Sequence, residues 1–442
     1  MKRVVITGLG FITSIGNSRA EVSRSLREAR TGVEPYPEFV DDPSVPISLL
    51  GTVKGFTFPT TDFEDWTFPG TYKISRETLR PMAPNSLFAY FALRQAIDDA
   101  RLAPEHVSNP DTGLLCASGG SMGMAYANYD TMLNRGVMRC PPMSVINSIP
   151  GSLYINLVPA FRIKGASWGL SSACASSSHT LGQAIDLIRT GKQRRVFVIG
   201  AEDCDKFSVL PFAAVRALST QTDPEKSPCA FDRKRDGFVG TGGAVTLVVE
   251  ELDAARERGV ADADIYAELL GWGQASDGYN VLAPTPDGDG LARTMTMALR
   301  DAGVAPAEVE YINAHATSTP FGDPSEINAI KTAFPDVGAR PLVSSTKSLT
   351  GHGLSLAGAM EAAFCCLSLK EGFVPVSAHI TDLDPVCEGV PVITSPVDLA
   401  PKLVMNNSSG FGGTNVAVVM RRWPAGGSAD EPTAETSPDS VA

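Results

Sequence analysis

One cysteine in the chain stands where a thiol could act as a nucleophile. Cys174 follows the short run 168–172 and opens a predicted helix. A thiol at a helix N-terminus lies near the positive end of the helix dipole and near free backbone N–H groups, and both favour the thiolate. Thiolate is the nucleophile in thioester exchange, and the same turn would direct N–H groups at an oxyanion. The alternative is a packing residue among small neighbours.

A histidine stands at the end of a predicted strand. His315 follows the strand Val309–Asn313 and begins the segment HATSTPFGD. Open α/β sheets bind ligands at the carboxyl ends of their strands, so this histidine is well placed for chemistry. The hydroxyls of Thr317 and Thr319 could hydrogen-bond a polar, flexible substrate arm. A histidine satisfied within a turn is the alternative.

Two further polar groups share one glycine-bearing turn, KSLTGH, in which Lys347 and His352 could together polarise a carbonyl. The alternative for this turn is helix capping and loop hydrogen bonding. Glu326 is either a charge partner of Lys347 or a solvated carboxylate in the first turn of a helix. Phe411 lies within Gly-Phe-Gly-Gly, which is either a mobile gate or a tight turn. The remaining histidines are predicted to be structural: His106, His179 and His379.

The elements that must position these residues alternate between strands and helices, which predicts an α/β architecture. The predicted strands are Arg3–Thr7, Leu114–Ala117, Arg195–Gly200, Ala244–Val249, Tyr266–Leu270, Val309–Asn313, Leu342–Ser345, Leu403–Asn406 and Asn415–Met420. The predicted helices are Ser86–Ala100, Ala175–Thr190, Leu291–Ala302, Ser325–Phe334 and Gly353–Lys370.

The two halves of the chain resemble each other. In each half a small-residue turn leads into a long helix closed by a glycine, and the turns are Ser171–Cys174 and Ser344–Lys347. We therefore expect two stacked copies of one unit, joined near 250–262. The segments 36–80 and 119–165 show no sustained period and are predicted to be caps or binding loops.

Composition excludes several classes of function. A net charge of −12 disfavours nucleic acid as a partner. The first residues are too short an apolar run for a secretory signal, and no segment reaches the roughly 20 apolar residues of a membrane span, which predicts a cytoplasmic protein without membrane insertion. The eight cysteines form no CxxC pair, and Thr13 replaces the third glycine of a dinucleotide fingerprint. No metal or organic cofactor is expected from these residues.

At these motifs the sequence resembles the β-ketoacyl-ACP synthases of the thiolase-like condensing family, and it is most similar to type I. The resemblance runs from about residue 1 to 422. It depends on SSACASSSHTLGQAI, RALSTQTDPEKSPCAFDRKRDGFVGTGGA, NAHATSTPFGD, STKSLTGHGLSLAGAMEA and SGFGGTN, which occur in this order.

The resemblance implies a five-layered αβαβα fold made of two related halves. Residues 1–255 would carry the nucleophile, 256–422 the histidines and the lysine, and 423–442 would be a disordered acidic tail. It also implies a homodimer whose substrates arrive on acyl carrier protein (ACP), in fatty-acid elongation or in a specialised polyene or polyketide-like lipid pathway.

The resemblance further implies residue roles. Cys174 would accept the acyl group, with its own N–H and that of Phe411 forming the oxyanion hole. His315 and His352 would bind the malonyl thioester carbonyl and promote decarboxylation. Lys347, paired with Glu326, would order the site electrostatically.

Other positions follow from the same resemblance. Thr317 and Thr319 would hold the phosphopantetheine arm, Phe411 would gate acyl entry, and Asn313 and Glu361 match positions around a structural Na⁺ or K⁺. Ala316, Ser409 and Asn406-Asn407 depart from the usual residues, so acyl selectivity at the gate is in question. Gly120 indicates room for a longer or bulkier chain. Five arginines are predicted to form the ACP-docking patch: Arg76, Arg80, Arg135, Arg139 and Arg216.

Three alternative functions remain possible from the sequence. A thiolase needs a second catalytic cysteine near the C-terminus, where Cys387 is the only candidate. A non-catalytic chain-length-factor-like subunit would lack the nucleophile. A cysteine hydrolase would need a base and an orienting carboxylate near Cys174.

Overall fold

The computed structural model describes residues 1–203 and 205–423. Its strands are β1 (Val4–Ile12), β2 (Val33–Pro35), β3 (Leu49–Gly51), β4 (Thr112–Ala117), β5 (Ser167–Leu170), β6 (Arg195–Glu202), β7 (Gly243–Glu251), β8 (Ala267–Ser276), β9 (Tyr311–Asn313), β10 (Leu342–Ser344), β11 (Leu403–Gly410) and β12 (Thr414–Arg422). Its helices are α1 (Arg19–Arg27), α2 (Pro37–Val40), α3 (Arg76–Leu79), α4 (Pro84–Asp99), α5 (Pro104–Val107), α6 (Met122–Arg135), α7 (Ser144–Ser148), α8 (Ser152–Phe161), α9 (Ser176–Arg189), α10 (Lys206–Val209), α11 (Leu252–Glu257), α12 (Asp289–Ala302), α13 (Gly322–Ala333), α14 (Lys347–Thr350) and α15 (Ala357–Glu371).

The main sheet contains the same arrangement twice. Its order is β10-β9-β11-β12-β8-β1-β7-β6-β4-β5, so each half has one edge strand, three inner strands and one strand at the join. In the N-terminal half β4 runs parallel to β5 and β6, while β7 is antiparallel to β6 and β1. In the C-terminal half β9 is parallel to β10 and β11, and β12 is antiparallel to β11 and β8. The halves meet where β1 pairs with β8 over 4–6 and 267–269.

Helices cover both faces of each half, which gives the five-layered αβαβα fold that the sequence predicted. Helix α4 packs on β1 and β7, and α12 packs on β8 and β12. Helices α9 and α15 pack against each other and contact strands of both halves, so they form the middle layer. A Cβ at Gly358 of α15 would lie 2.7 Å from the Ser178 backbone nitrogen, which explains why a glycine stands there.

The predicted elements are present, but several have other bounds: β1 runs to Ile12 rather than Thr7, and β11 runs to Gly410 rather than Asn406. Strand β8 runs to Ser276, well beyond the predicted Leu270, although Gly271 and Gly273 weaken its strand propensity. Both glycines are needed because Cβ atoms there would lie 2.4 Å from backbone atoms of α12. The segment 119–165 was predicted to be irregular and instead contains α6, α7 and α8. The exposed apolar side chains of α6 conceal its amphipathic pattern.

The chain end differs slightly from the prediction. Trp423 was assigned to the disordered tail, but it is buried and donates from Nε1 to Asp262 at 3.0 Å. The Arg3 guanidinium lies 4.7 Å from its ring. The rest of the predicted tail, 424–442, lies outside the described residues. Over 1–203 and 205–423, no helix is both long and apolar enough to cross a bilayer.

Candidate active site

The strand ends bring the predicted catalytic residues to one cavity. Cys174 follows β5, His315 follows β9, and Phe411 follows β11. These are parallel strands of the two halves, and their carboxyl ends face a shared cavity of about 420 Å³. The polar side chains that line it include Cys174, His315, His352, Thr317, Thr319, Glu326, Asn415, Asp277, Ser409 and Arg216. The apolar ones include Phe212, Phe238, Phe411, Leu282, Leu291 and Leu354.

A tight turn presents Cys174 to the cavity. Ala173 has a φ of +50°, a conformation that non-glycine residues rarely adopt. The Ser176 hydroxyl supports the turn by accepting from the Ser172 N–H at 2.8 Å and donating to the Ala173 carbonyl at 2.5 Å. The Cys174 Sγ lies 3.1 Å from His352 Nε2. The strained turn therefore holds the thiol within hydrogen-bond reach of an imidazole.

The expectation that the helix N-terminus favours a thiolate is wrong for the resting site. Burial raises the pKa of the Cys174 thiol to about 12, while Lys347 and the residue's own N–H oppose the rise. Burial also lowers the pKa of both His315 and His352 well below the usual range, and Lys347 lowers it further. The resting pair at neutral pH is thus a thiol beside a neutral imidazole, which can accept the thiol proton during attack.

The two imidazoles stand side by side at the cavity wall. Their ring centroids are 5.3 Å apart and their planes are nearly perpendicular, at 86°. The Phe238 ring lies 5.2 Å from the His352 ring, and the His352 backbone N–H donates to the Val239 carbonyl at 2.7 Å. Among the described residues, neither Nδ1 atom has a hydrogen-bond partner. Neutral rings in this geometry can donate N–H bonds to one carbonyl oxygen in the cavity.

The predicted pairing of Lys347 with Glu326 is corrected by the structure. The Lys347 ammonium forms an ion pair with Glu361 of α15, and both side chains are buried. Glu326 instead accepts from the backbone N–H groups of His315 at 2.9 Å and Ala316 at 2.6 Å. It therefore fixes the backbone that carries the first histidine.

The same ion pair bears on the predicted Na⁺ or K⁺ site. The Glu361 carboxylate faces an ammonium, which would repel a metal cation, and the Asn313 side chain is hydrogen-bonded to Thr346 Oγ1 at 3.3 Å. These contacts concern two side chains alone, so the Na⁺ or K⁺ site stays a prediction.

The predicted arm-binding and gate residues lie together. The Thr317 and Thr319 hydroxyls are 3.2 Å apart on the cavity wall. Phe411 caps the β11–β12 turn, with its ring 5.9 Å from that of Phe212. The Ser409 hydroxyl donates to Asn415 Oδ1 at 2.7 Å beside it.

Other predicted positions are not brought to the cavity. Gly120 lies outside the lining, and a Cβ there would meet the Ser148 carbonyl at 3.0 Å. All five arginines of the predicted docking patch are exposed, but only Arg216 lines the cavity. Arg76 is engaged in an ion pair with Glu64. The structure therefore places one of the five at the mouth.

Two side chains near the site have partners that the sequence did not identify. His179 was predicted to be structural and has such a role, since its Nδ1 lies 2.9 Å from the Ser172 hydroxyl and its Nε2 lies 3.0 Å from Gln274 of the other half. It thus braces the turn of the nucleophile. Glu361 was assigned to a cation site rather than to Lys347, because nothing in a fully buried helix indicates which charge it faces.

Comparison with known proteins agrees with this fold. The N-terminal domain model of β-ketoacyl synthase matches residues 1–255, and the C-terminal domain model matches 266–381. A 3-oxoacyl-[acyl-carrier-protein] synthase 1 of Haemophilus influenzae is 40% identical over 428 residues, which cover 96% of this chain and 100% of that protein. The crystal structure of a β-ketoacyl synthase from Burkholderia phymatum has a TM-score of 0.86 at 33% identity, and it covers 96% of this chain and 100% of its own.

A second similar structure includes a carrier protein. It is a type II polyketide acyl-carrier protein in complex with its ketosynthase, and it has a TM-score of 0.83 at 26% identity over 95% of this chain and 99% of the other. Fold and site together define a thiolase-like condensing enzyme. The chain belongs to the β-ketoacyl synthase family.

Proposed function

We propose that this enzyme is a β-ketoacyl-ACP synthase of fatty-acid elongation. It would join an acyl group on Cys174 to the two-carbon unit released from malonyl-ACP. The observation that carries the proposal is the 3.1 Å approach of Cys174 Sγ and His352 Nε2 in a cavity that also holds His315. The 40% identity to 3-oxoacyl-ACP synthases over nearly the whole chain supports the substrate class.

The first step transfers the acyl group. The thiol of Cys174 attacks the carbonyl of an acyl-ACP, and His352 Nε2 accepts the thiol proton. The bond from the acyl carbon to the carrier sulfur then breaks, and the proton ends on the carrier thiol. The backbone N–H groups of Cys174 and Phe411 would stabilise the tetrahedral oxyanion between these events.

The second step forms the carbon–carbon bond. His315 and His352, the latter now in the tautomer that carries its proton on Nε2, donate N–H bonds to the thioester oxygen of malonyl-ACP, which stabilises the enolate left when CO₂ departs. The enolate carbon attacks the thioester on Cys174, the C–S bond breaks, and the sulfur leaves as a thiolate that takes up one proton from water. The products are 3-ketoacyl-ACP, CO₂ and the free thiol.

The positions of the cysteines bear on the alternative hypothesis that the enzyme is a thiolase. That reaction would need a second reactive cysteine, and the sequence offers Cys387. In the described chain Cys174 is the one cysteine among the lining residues of the cavity. Cys387 is buried in a separate apolar cluster, where burial raises the pKa of its thiol to about 12.

The test is a two-stage incubation followed by intact-protein mass spectrometry. Acyl-ACPs of several chain lengths are added first and malonyl-ACP second. The proposal predicts an acyl adduct that is discharged as 3-ketoacyl-ACP in the second stage. An enzyme that loads from acyl-CoA alone, or that releases free acid, would contradict it.

Arg216 provides a prediction about the carrier. It is exposed at the mouth of the cavity, where a cationic side chain would meet an acidic carrier protein. Arg216→Glu is expected to lower kcat/KM for acyl-ACP by about tenfold and to leave turnover of an acyl-pantetheine thioester unchanged. Parallel assays of Arg80→Glu and Arg139→Glu test the wider patch. Equal losses with both substrates would remove Arg216 from carrier docking.

We further propose that two copies of the chain associate through the outer face of the N-terminal half. Helix α6 and the following turn expose a set of large apolar side chains: Met122, Tyr126, Tyr129, Met132, Leu133, Val137 and Met138. Helix α7 contacts both α6 and α8, and α8 contacts the edge strand β5. An open sheet edge next to an exposed apolar face is suited to pairing with its own copy.

The prediction for this face concerns oligomeric state. Leu133→Asp with Met138→Asp is expected to convert a dimer into a monomer in analytical ultracentrifugation, because two charges would have to be buried at the interface. Val337→Asp is the matched control, since Val337 is similarly exposed on the C-terminal half. A wild-type protein that sediments as a monomer would refute the proposal.

A further inference from the structure

A buried carboxylate lies behind the catalytic pair, and the proposed reaction does not use it. Glu202 is the last residue of β6 and is 3% exposed. It stands at the same sheet edge as the turn after β4 and the turn that carries Cys174. This places it close enough to Cys174 for its charge to raise the pKa of the thiol.

Three donors converge on one oxygen of this carboxylate. Glu202 Oε1 accepts from the Gly119 N–H at 2.9 Å, from the Ser355 N–H at 3.3 Å, and from the Ser355 hydroxyl through a short bond. Gly119 follows β4 in the N-terminal half. Ser355 belongs to the C-terminal half, three residues after His352. The carboxylate therefore ties the half that carries the nucleophile to the half that carries its base.

The segment it holds is strained. Leu354, between His352 and Ser355, has a φ of +51° and begins the 3₁₀ turn Leu354–Leu356. A leucine keeps this left-handed backbone conformation only where surrounding contacts hold it there. The bonds from Ser355 to Glu202 are such contacts, since they fix the turn on the side away from the cavity.

The charges around Glu202 do not provide an ion pair. In the described chain no lysine or arginine forms a salt bridge with it, and its charged neighbours are the carboxyl groups of Asp203 and Asp205. Burial raises the pKa of Glu202 to about 7, and Asp205 adds to the rise. No cation of the described residues compensates the charge of this buried acid. The contacts that hold Glu202 in place are therefore the hydrogen bonds that its Oε1 accepts.

We propose that Glu202 is a positioning residue, which holds the His352 turn against the N-terminal half and so sets the distance from His352 Nε2 to Cys174 Sγ. The inference rests on the proposed function, but the contacts of Glu202 do not depend on a carrier-bound substrate. It can therefore be tested on the thiol alone.

The test measures alkylation of Cys174 by iodoacetamide from pH 6 to 10, with intact-mass detection. Glu202→Gln keeps an oxygen in the Oε1 position and removes the negative charge, so the thiol is expected to react about twofold to fivefold faster. Glu202→Ala removes the acceptor and lets the His352 turn relax, so alkylation at neutral pH is expected to fall about tenfold. Ser355→Ala should also lower the alkylation rate at neutral pH, by a smaller factor.

The two Glu202 variants are expected to change the alkylation rate in opposite directions, and this difference distinguishes the proposal from its alternatives. If the carboxylate acted through charge alone, both variants would react faster than wild type. If it were only structural, both would melt at lower temperature with alkylation unchanged while folded. Asp203→Asn is the control, because that buried neighbour accepts from Asn85 and Ser121 and does not contact the His352 turn. Either of those alternative patterns, or a tenfold loss in the control, would overturn the proposal. Loss of condensation with normal alkylation would count against the proposed function instead.

Discussion

Replacing Cys174 with alanine is expected to abolish acyl loading and to reduce condensation by about a thousandfold or more, because no acyl thioester can form. The same variant should still decarboxylate malonyl-ACP. The backbone segments that carry the two histidines are held by contacts that do not involve the thiol: the His352 backbone N–H donates to the Val239 carbonyl, and the His315 backbone N–H donates to Glu326. Measured CO₂ release and acetyl-ACP formation, beside the absent acyl adduct, check both parts.

The matched control removes the base and leaves the nucleophile. His352→Ala should lose decarboxylation and load acyl groups slowly, since its Nε2 serves both steps. If Cys174→Ala still formed 3-ketoacyl-ACP at more than a trace rate, the assignment of the nucleophile would be wrong.

Replacing Lys347 with methionine is expected to cost about 3–5 kcal/mol of unfolding free energy, because it leaves a buried carboxylate without its partner. Lys347 is 2% exposed and Glu361 is fully buried, so water cannot replace the lost ammonium. Chemical denaturation monitored by circular dichroism measures the change.

The loss should depend on pH in a defined direction. Burial raises the pKa of Glu361, and the Lys347 ammonium opposes that rise. Without the ammonium, the folded pKa rises further above the unfolded value, so the folded variant binds a proton that the unfolded chain releases. In wild type the pKa of Glu361 is raised to about 7, so the stability of Lys347→Met should fall relative to wild type as pH increases from about 7 towards 9, where the wild-type carboxyl has already lost its proton.

A double variant provides the control. Lys347→Met with Glu361→Gln removes both charges, so most of the stability should return and the added pH dependence should disappear. A single variant as stable as wild type at pH 9 would show that the pair is not the buried contact described here.

Much of the fold could be predicted because its strands and helices follow the usual periods. Strand β6 and helix α9 lie within two residues of their predicted bounds, since both bury regular apolar patterns. Strand β8 exceeded its predicted end because its glycines are chosen for close contact with α12 rather than for strand propensity. Helix α6 was missed because its apolar side chains face outward. A tertiary contact decides the first case and the exposure of the apolar side chains decides the second, and no local window of sequence contains either.

The residues of the site could be predicted, but the contacts between them could not. Cys174, His315 and His352 each follow a strand or a small-residue turn, and a sheet edge gathers such residues wherever the strands are parallel. Lys347 was identified too, but its partner was not, because Glu361 lies in a helix that is buried on all sides. The protonation of the thiol was also predicted wrongly. The helix N-terminus is visible in sequence, whereas the desolvation that outweighs it is a property of the folded cavity.

The repeated strand order has a consequence for how changes in the chain affect the site. Cys174 follows β5 and Lys347 follows β10, and these two strands occupy the same place in their respective halves. Glu202 at the end of β6 and Phe411 after β11 are similarly equivalent. Each half supplies a different part of the same cavity, since Cys174 comes from one half and His315 and His352 come from the other. A substitution that shifts one half against the other would therefore change the distance between the thiol and the imidazoles.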